Sequence, residues 1–214
     1  MECAILLRLQ HPNIVEYKSS FIQDAHLYIE MGFCAGGDLD SYLQSRSGQL
    51  LDEIEVLDIL VQITMALEYV HSKSILHRDL KTKNIFLTES RLIKVGDFGI
   101  ARILDEPLSL ANTLTGTPFY MSPELLTGRP YNHKSDIWSL GCVAYEVTSL
   151  HQAFSAQNFH DLSLKILLAK VRTEFKIIPQ RRVAKFMIYL NNSQPEVLHH
   201  QQFPQQGSGD GKNV

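Results

Sequence analysis

Three side chains, Asp79, Asn84 and Asp97, offer oxygens at spacings that could hold a metal-bound polyphosphate. Asp79 stands in the run His77-Arg78-Asp79-Leu80-Lys81-Thr82-Lys83-Asn84, and Asp97-Phe98-Gly99 begins thirteen residues beyond Asn84. Carboxylate and amide oxygens are hard ligands, suited to a cation such as Mg²⁺ on nucleotide phosphates. Asp79 could accept or orient the proton of an attacking hydroxyl. Lys81, two residues on, could neutralise charge on a transferring phosphoryl group. Such chemistry asks little covalent work of a protein; positioning and electrostatics carry it.

The residues in between explain how Asn84 and Asp97 could meet. Residues 85–88 and 92–95 read as short strands around a Glu89-Ser90-Arg91 turn, so a hairpin returns both ligands to one end. Upstream, Leu57, Leu60, Val61, Thr64, Leu67 and Val70 form a helical stripe over 51–71 that runs into the loop. Downstream, Asp136-Ile137-Trp138-Ser139-Leu140-Gly141 opens an apolar helix over 135–149, and a shorter helix is expected over 160–170. At the start, residues 2–9 read as the end of an amphipathic helix stopped by His11-Pro12. Strands are expected at 14–17 and 27–31 around a polar turn at Gln23-Asp24. Glycine-rich punctuation over 32–39 follows, before a new helical pattern.

With 214 residues there is room for one large domain or two small lobes. A 44% hydrophobic and 20% charged composition is that of an ordinary soluble chain. The net charge of −3 leaves no nucleic-acid footprint. Residues 1–170 hold 14 Lys+Arg and 20 Asp+Glu, and 171–214 hold 6 and 3, so the tail is weakly basic. No apolar run approaches the roughly 18 residues of a membrane span, and no basic-then-apolar leader opens the chain. Three separated cysteines, Cys3, Cys34 and Cys142, suggest reduced thiols in an intracellular protein. Beyond Val171 lie an apolar run at 183–190 and a Gln-, Gly- and His-rich stretch that reads as a disordered end. The pair His199-His200 belongs to that solvated tail; no Cys or carboxylate pattern makes it a metal site.

These motifs resemble those of eukaryotic protein kinases, and of the NIMA-related serine/threonine kinases in particular. The residues that carry the likeness are HRDLKTKNIFL at 77–87, VGDFGIAR at 95–102, TGTPFYMSPE at 115–124 and YNHKSDIWSLG at 131–141, within a resemblance covering about residues 1–170. It implies an α+β, protein-kinase-like fold. Residues 1–31 would be a remnant of the small lobe (the end of helix αC and two strands). Residues 32–170 would be the hinge and a mostly helical large lobe, incomplete, and 171–214 a divergent tail.

The implied function is ATP-dependent phosphorylation of Ser/Thr hydroxyls on protein substrates. Asp79, Lys81, Asn84 and Thr117 would be catalytic, and Asn84 and Asp97 would hold Mg²⁺. For ATP, Met31 would be the gatekeeper, backbone groups of Gly32, Phe33 and Cys34 would meet the adenine edge, Asp38 would reach the ribose and Phe86 would pack beneath the ring. Leu6, Tyr17, His77 and Phe98 would stack as a spine. Glu2, Arg78 and Thr113 would be regulatory, Thr113 as a phosphosite for an upstream activating kinase whose charge Arg78 pairs. Thr117 would hold the substrate hydroxyl near Asp79 and Lys81. Neither nucleic acid nor membrane is an expected partner. The location would be cytoplasmic, at centrosome or cilium, or nuclear.

The family pattern also has a G-x-G-x-x-G loop and a V-A-I-K lysine ahead of the αC glutamate. Here no glycine precedes Gly32, and the first lysine is Lys18. The resemblance therefore predicts a kinase domain truncated at both ends, with Glu2 lacking its lysine and little transfer by residues 1–214 alone. The alternative is a catalytically inactive kinase fragment serving as a binding or regulatory module. Glu124, which the family pairs with a late-helix arginine, has only Arg181 and Arg182 as candidates by residue type. It is expected to be exposed or locally loosened, because a buried unpaired carboxylate is costly.

Overall fold

The computed structural model describes residues 6–98 and 118–171. Its elements run β1 (Tyr17–Gln23), β2 (His26–Met31), α1 (Leu39–Ser45), α2 (Glu53–Ser72), β3 (Ile85–Leu87), β4 (Ile93–Val95), α3 (Pro123–Leu126), α4 (His133–Ser149) and α5 (Phe159–Leu167), with 3-10 turns at Thr82–Asn84 and Pro118–Tyr120. The fold is α+β and mostly helical.

Both sheets are antiparallel hairpins. In the first, Tyr17 faces Met31 and Gln23 faces His26. Asp24 and Ala25 close it with φ of 49° and 59°, the left-handed pair of a two-residue turn whose twist suits the strands. The strand expected at 14–17 lies further on. Ile14 and Val15 are buried and lie instead along β4, where the Val15 N–H donates to Val95 O at 2.9 Å and the Val95 N–H to Asn13 O at 2.8 Å. An apolar pair reads as strand, but the long ladder falls to the more polar residues after it.

In the second hairpin Ile85 faces Val95 and Leu87 faces Ile93. Its outer edge is paired by residues 36–38: Gly36 N–H donates to Leu87 O and Leu87 N–H to Gly37 O, both at 2.9 Å. A Cβ on Gly36 would lie 2.7 and 2.8 Å from the carbonyl oxygens of Thr88 and Leu87, so no side chain fits there.

The helices begin where a polar cap stops the chain. Asp38 caps α1, Asp52 caps α2 by accepting from the Glu55 N–H at 2.9 Å, and Asn158 caps α5 by accepting from the Asp161 N–H at 2.9 Å. Asn132 and Ser135 form a reciprocal capping box on α4. The caps explain the small offsets from the helices expected over 51–71, 135–149 and 160–170. α4 lies between two buried clusters. Leu140, Val143, Ala144 and Val147 join α2 and the second hairpin, while Trp138, Cys142 and Tyr145 pack with Phe154, Leu162 and Ile166. Among the described residues, no helix is long and apolar enough to cross a membrane.

Glu124 corrects an expectation. It is 8% exposed, not loosened, and accepts a hydrogen bond from Ser135 Oγ. The capping box that starts α4 brings that hydroxyl to it, so a donor from the next helix satisfies the carboxylate.

Candidate active site

The loop 76–84 owes its shape to a carboxylate 57 residues beyond Asp79. Asp136, in the first turn of α4, is fully buried. Its oxygens accept from the His77 N–H and the Arg78 N–H, each at 3.0 Å, from His71 Nε2 at 2.7 Å and from the Tyr131 hydroxyl. Burial by itself pushes the Asp136 carboxyl up, but the bonds from His71, Tyr131 and the His77 N–H outweigh it and hold it below the ordinary range. Arg78 can thus keep a φ of 69°, a left-handed conformation that costs roughly 1–2 kcal/mol in a side-chain-bearing residue.

His77 is a strut. Its Nε2–H points to Gly96 O at 3.1 Å, and its Nδ1 accepts from the Asp79 N–H at 3.3 Å. Burial draws its pKa down against the opposing pull of Asp136, Asp79 and Asp97, and the ring stays neutral. It lies 4.8 Å from the Phe98 ring. Leu6 and Phe98 belong to one large core cluster, with Tyr17 packed against it; of the spine expected from the resemblance, the contact in evidence is that of His77 with Phe98.

Three candidate residues meet at one spot. Lys81 Nζ lies 2.8 Å from Asp79 Oδ2, with both side chains partly open to solvent. Asn84 is buried, and its Nδ2 donates to Asp79 O at 2.8 Å and to Asp79 Oδ2 at 3.0 Å. That spends the amide protons of Asn84 on Asp79 and leaves Oδ1 as an acceptor. The second hairpin then brings up Asp97, since the Gly96 N–H donates to Asn84 O at 2.9 Å. Asp97 is exposed, with φ of 49°. An amide oxygen and an exposed carboxylate at one hairpin end are a donor set that fits a hard divalent cation.

The approach between them is tight by construction. A Cβ on Gly96 would lie 2.8 Å from Val15 Cγ2 and 3.0 Å from the Phe86 ring. Asn13 Nδ2 bonds Gln62 Oε1 at 2.8 Å and Ile93 O at 3.0 Å, and Gln62 Oε1 also takes the Ile93 N–H at 2.9 Å. One α2 side chain thereby fixes β4 against the core.

The residues expected around a nucleotide are less gathered. Phe86 is half-buried beside Gly96. Met31 is 41% and Phe33 89% exposed. The Gly32 N–H is already taken by Glu16 O at 2.7 Å, which leaves that peptide only its carbonyl for a base edge, and Cys34 O accepts from the Gly37 N–H at 3.2 Å. Asp38 is engaged as a helix cap, accepting from Ser41 N–H at 2.8 Å and from Ser41 Oγ at 2.9 Å. Glu2, Thr113 and Thr117 lie outside the described residues.

Sequence reasoning missed Asp136, His71 and Gln62. The signal for Asp136 was present, a carboxylate in the first turn of a strongly apolar helix, but three of its four partners, the groups of His71, His77 and Arg78, are 58 to 65 positions away. It missed Thr82, Tyr120 and Glu146 as well, three buried or half-buried oxygens that join the loop to α4.

The protein kinase domain family matches residues 1–201, further along the chain than the motifs themselves reach. The serine/threonine-protein kinase Nek4 of Mus musculus is 54% identical over 171 residues, which cover 79% of this chain and 22% of that protein. Nek1 of Mus musculus is 51% identical over 166 residues (78% and 14%), and Nek8 of Danio rerio 54% over 167 (78% and 24%). The chain therefore spans less than a quarter of the length of each of these relatives. The family match and this level of identity agree, and the chain belongs to the protein kinase family, among its NIMA-related (Nek) serine/threonine members.

Proposed function

We propose that this chain carries the transfer site of an ATP-dependent protein serine/threonine kinase. The observation that carries the reading is the meeting of Lys81 and Asn84 on Asp79 Oδ2, at 2.8 and 3.0 Å, beside the hairpin end that also presents Asp97. Asp79 accepts or orients the proton of a substrate hydroxyl, and Lys81 lies beside it to meet charge on the phosphoryl group in flight. Asn84 Oδ1 and the Asp97 carboxylate are the groups that would hold Mg²⁺, and the cation would screen the phosphate oxygens. Met31, the backbone of Gly32, Phe33 and Cys34, Asp38 and Phe86 frame the nucleotide end. Asp38 serves the ribose only with lone pairs its cap leaves over.

Thr117 supports the substrate hydroxyl, in the segment just before the Pro118–Tyr120 turn. Thr113 is the phosphosite of an upstream kinase, with Arg78 its cation and Glu2 a second control point. Protein Ser/Thr side chains are the substrates, and a cytoplasmic site of action, including centrosome, cilium or nucleus, suits the family.

Residues 1–31 hold no glycine, so a polypeptide of these 214 residues brings no glycine-rich cover for phosphates. The test is radiolabelled-ATP transfer to a protein substrate, by residues 1–214 and by the same residues behind the small-lobe segment of a matched relative. The longer polypeptide should transfer phosphate in a Mg²⁺-dependent way, and Asp79→Asn should abolish it. Residues 1–214 alone should be slower by on the order of 10³–10⁵, since each 1.4 kcal/mol of lost transition-state stabilisation is tenfold. Equal rates in Asp79→Asn and the unaltered chain would overturn the reading.

A further inference from the structure

A buried group of three oxygens lies just behind the loop, and the chemistry assigned above makes no use of it. The Tyr120 hydroxyl donates to Glu146 Oε2. Thr82 Oγ1 lies 3.0 Å from the Tyr120 hydroxyl and 3.4 Å from the same Glu146 oxygen. Proton counting fixes the directions. Tyr120 has one proton, and it goes to the carboxylate, so Thr82 must donate, to Tyr120 and more weakly to Glu146. Thr82 is 1% and Glu146 7% exposed. Among the described residues no cation pairs with Glu146; these two hydroxyls are its hydrogen-bond donors. Burial pushes its carboxyl up, and those bonds oppose the push.

The three members come from three parts of the chain. Thr82 begins the 3-10 turn Thr82–Asn84, Tyr120 ends the turn Pro118–Tyr120, and Glu146 lies on α4. Thr82 directly follows Lys81 and lies two positions before Asn84. Those two residues reach Asp79 from either side of it in the chain. The first turn of α4 already holds the front of the loop through Asp136. The third turn beyond it holds the back through Glu146, and the segment ending at Tyr120 is tied into the same point. The turn has no side-chain cap; Asn84 ties its far end to Asp79, and the Thr82 hydroxyl ties its near end to Tyr120 and Glu146.

We propose that Thr82 is a positioning residue: its hydroxyl, held by Tyr120 and Glu146, keeps Lys81 and Asn84 aimed at Asp79 and couples that aim to the Pro118–Tyr120 segment. The functional part of this rests on the transfer site proposed above; the coupling itself does not.

The test compares residues 1–214 with Thr82→Val, which keeps the shape and removes the hydroxyl, and with Thr82→Ser, which restores a hydroxyl. Amide hydrogen exchange is read by peptide across 79–86, 118–122 and α2. Thr82→Val should speed exchange across 79–86 and 118–122 by about fivefold, the size expected for losing one neutral hydrogen bond, and leave α2 unchanged. Thr82→Ser should return both segments to within about twofold of the unaltered chain. Residual ATP-dependent transfer, measured above an Asp79→Asn blank, should fall in Thr82→Val through kcat with KM for ATP unchanged, and recover in Thr82→Ser. Unchanged exchange in Thr82→Val, loss spread equally over α2, or failure of serine to rescue would each overturn the proposal. If the unaltered chain shows no transfer above the blank, the transfer site has failed for this polypeptide, and the exchange arm still decides the coupling.

Discussion

The two hairpins of this molecule invert what ladder length suggests. β1–β2 has six residue pairs, with a shift of register between Tyr17 and Ser19, and β3–β4 has three. Yet the longer one leaves Phe21 52% and Ile22 76% exposed, with Leu27 and Tyr28 nearly half exposed, and touches the core mainly through Tyr17 and Ile29. The shorter one has Ile85, Ile93 and Val95 fully buried, is paired along both outer edges, and receives side-chain bonds from Asn13 and Gln62. An isolated two-stranded ladder is marginal in water. What fixes a hairpin is the apolar area and polar satisfaction around it, and here those have been concentrated where Asn84 and Asp97 must be held.

If that contrast is right, the largest effects should come from residues that join the short hairpin and its loop to the helices. Asp136→Ala strips the acceptor from His77 N–H, Arg78 N–H, His71 and Tyr131 together. It should destabilise the fold by about 3–5 kcal/mol, the cost of breaking a buried charged network, read as a lower urea midpoint. A loss below about 1 kcal/mol would break the comparison.

Gly96→Ala should cost about 1–3 kcal/mol as an overpacked site, because its Cβ would press on Val15 and Phe86. Melting temperature with and without Mg²⁺-ATP measures both the strain and any displacement of the hairpin end that carries Asp97.

Acid should act next. His77 has a depressed folded pKa, so its unfolded form takes up a proton that the folded form resists. The stability it contributes is therefore present above about pH 6.5 and is lost as pH falls below that, by at most about 1.4 kcal/mol per pH unit. Asp136, also depressed, adds a loss in the same direction at lower pH, near its unfolded value of about 3.9. Urea midpoints flat down to pH 5 would contradict the buried neutral assignment, and His77→Phe should flatten the upper part of the curve.

The smallest effect belongs to the long hairpin. Ile22→Thr, on an exposed strand position, should stay within about 0.5 kcal/mol of the unaltered chain. A loss beyond 2 kcal/mol, far outside that roughly neutral range, would mean that this face is covered after all.

How much could be read in advance follows the same division. Asn84 and Asp97 were legible because one short hairpin relates them, and alternation with a turn is a local signal. The helices were legible from their period, within a few residues set by the caps. The first strand was misplaced because Ile14 and Val15 look like a strand and do pair as one, but with β4, some 80 residues away. Asp136 was passed over because a charged residue reads as surface, and only tertiary partners show that it is satisfied inside. Glu124 was expected to loosen for lack of an arginine, and among the described residues a serine hydroxyl of the capping box is its donor. The missing knowledge was in each case a long-range donor.

Gln62 has a consequence for the order of assembly. Its side-chain amide is shared between Asn13 and Ile93, residues 49 and 31 positions away, and it lies in the middle of a 20-residue helix. The helix can form from local contacts, whereas β4 needs the Gln62 oxygen as a ready acceptor for the Ile93 N–H. Closing such loops is the slow part of folding. The β3–β4 hairpin should therefore be among the last parts of the domain to lock. In pulse-labelled hydrogen exchange during refolding, the Ile93 amide should gain protection after the amides of α2, and Gln62→Ala should delay it further without slowing the helix.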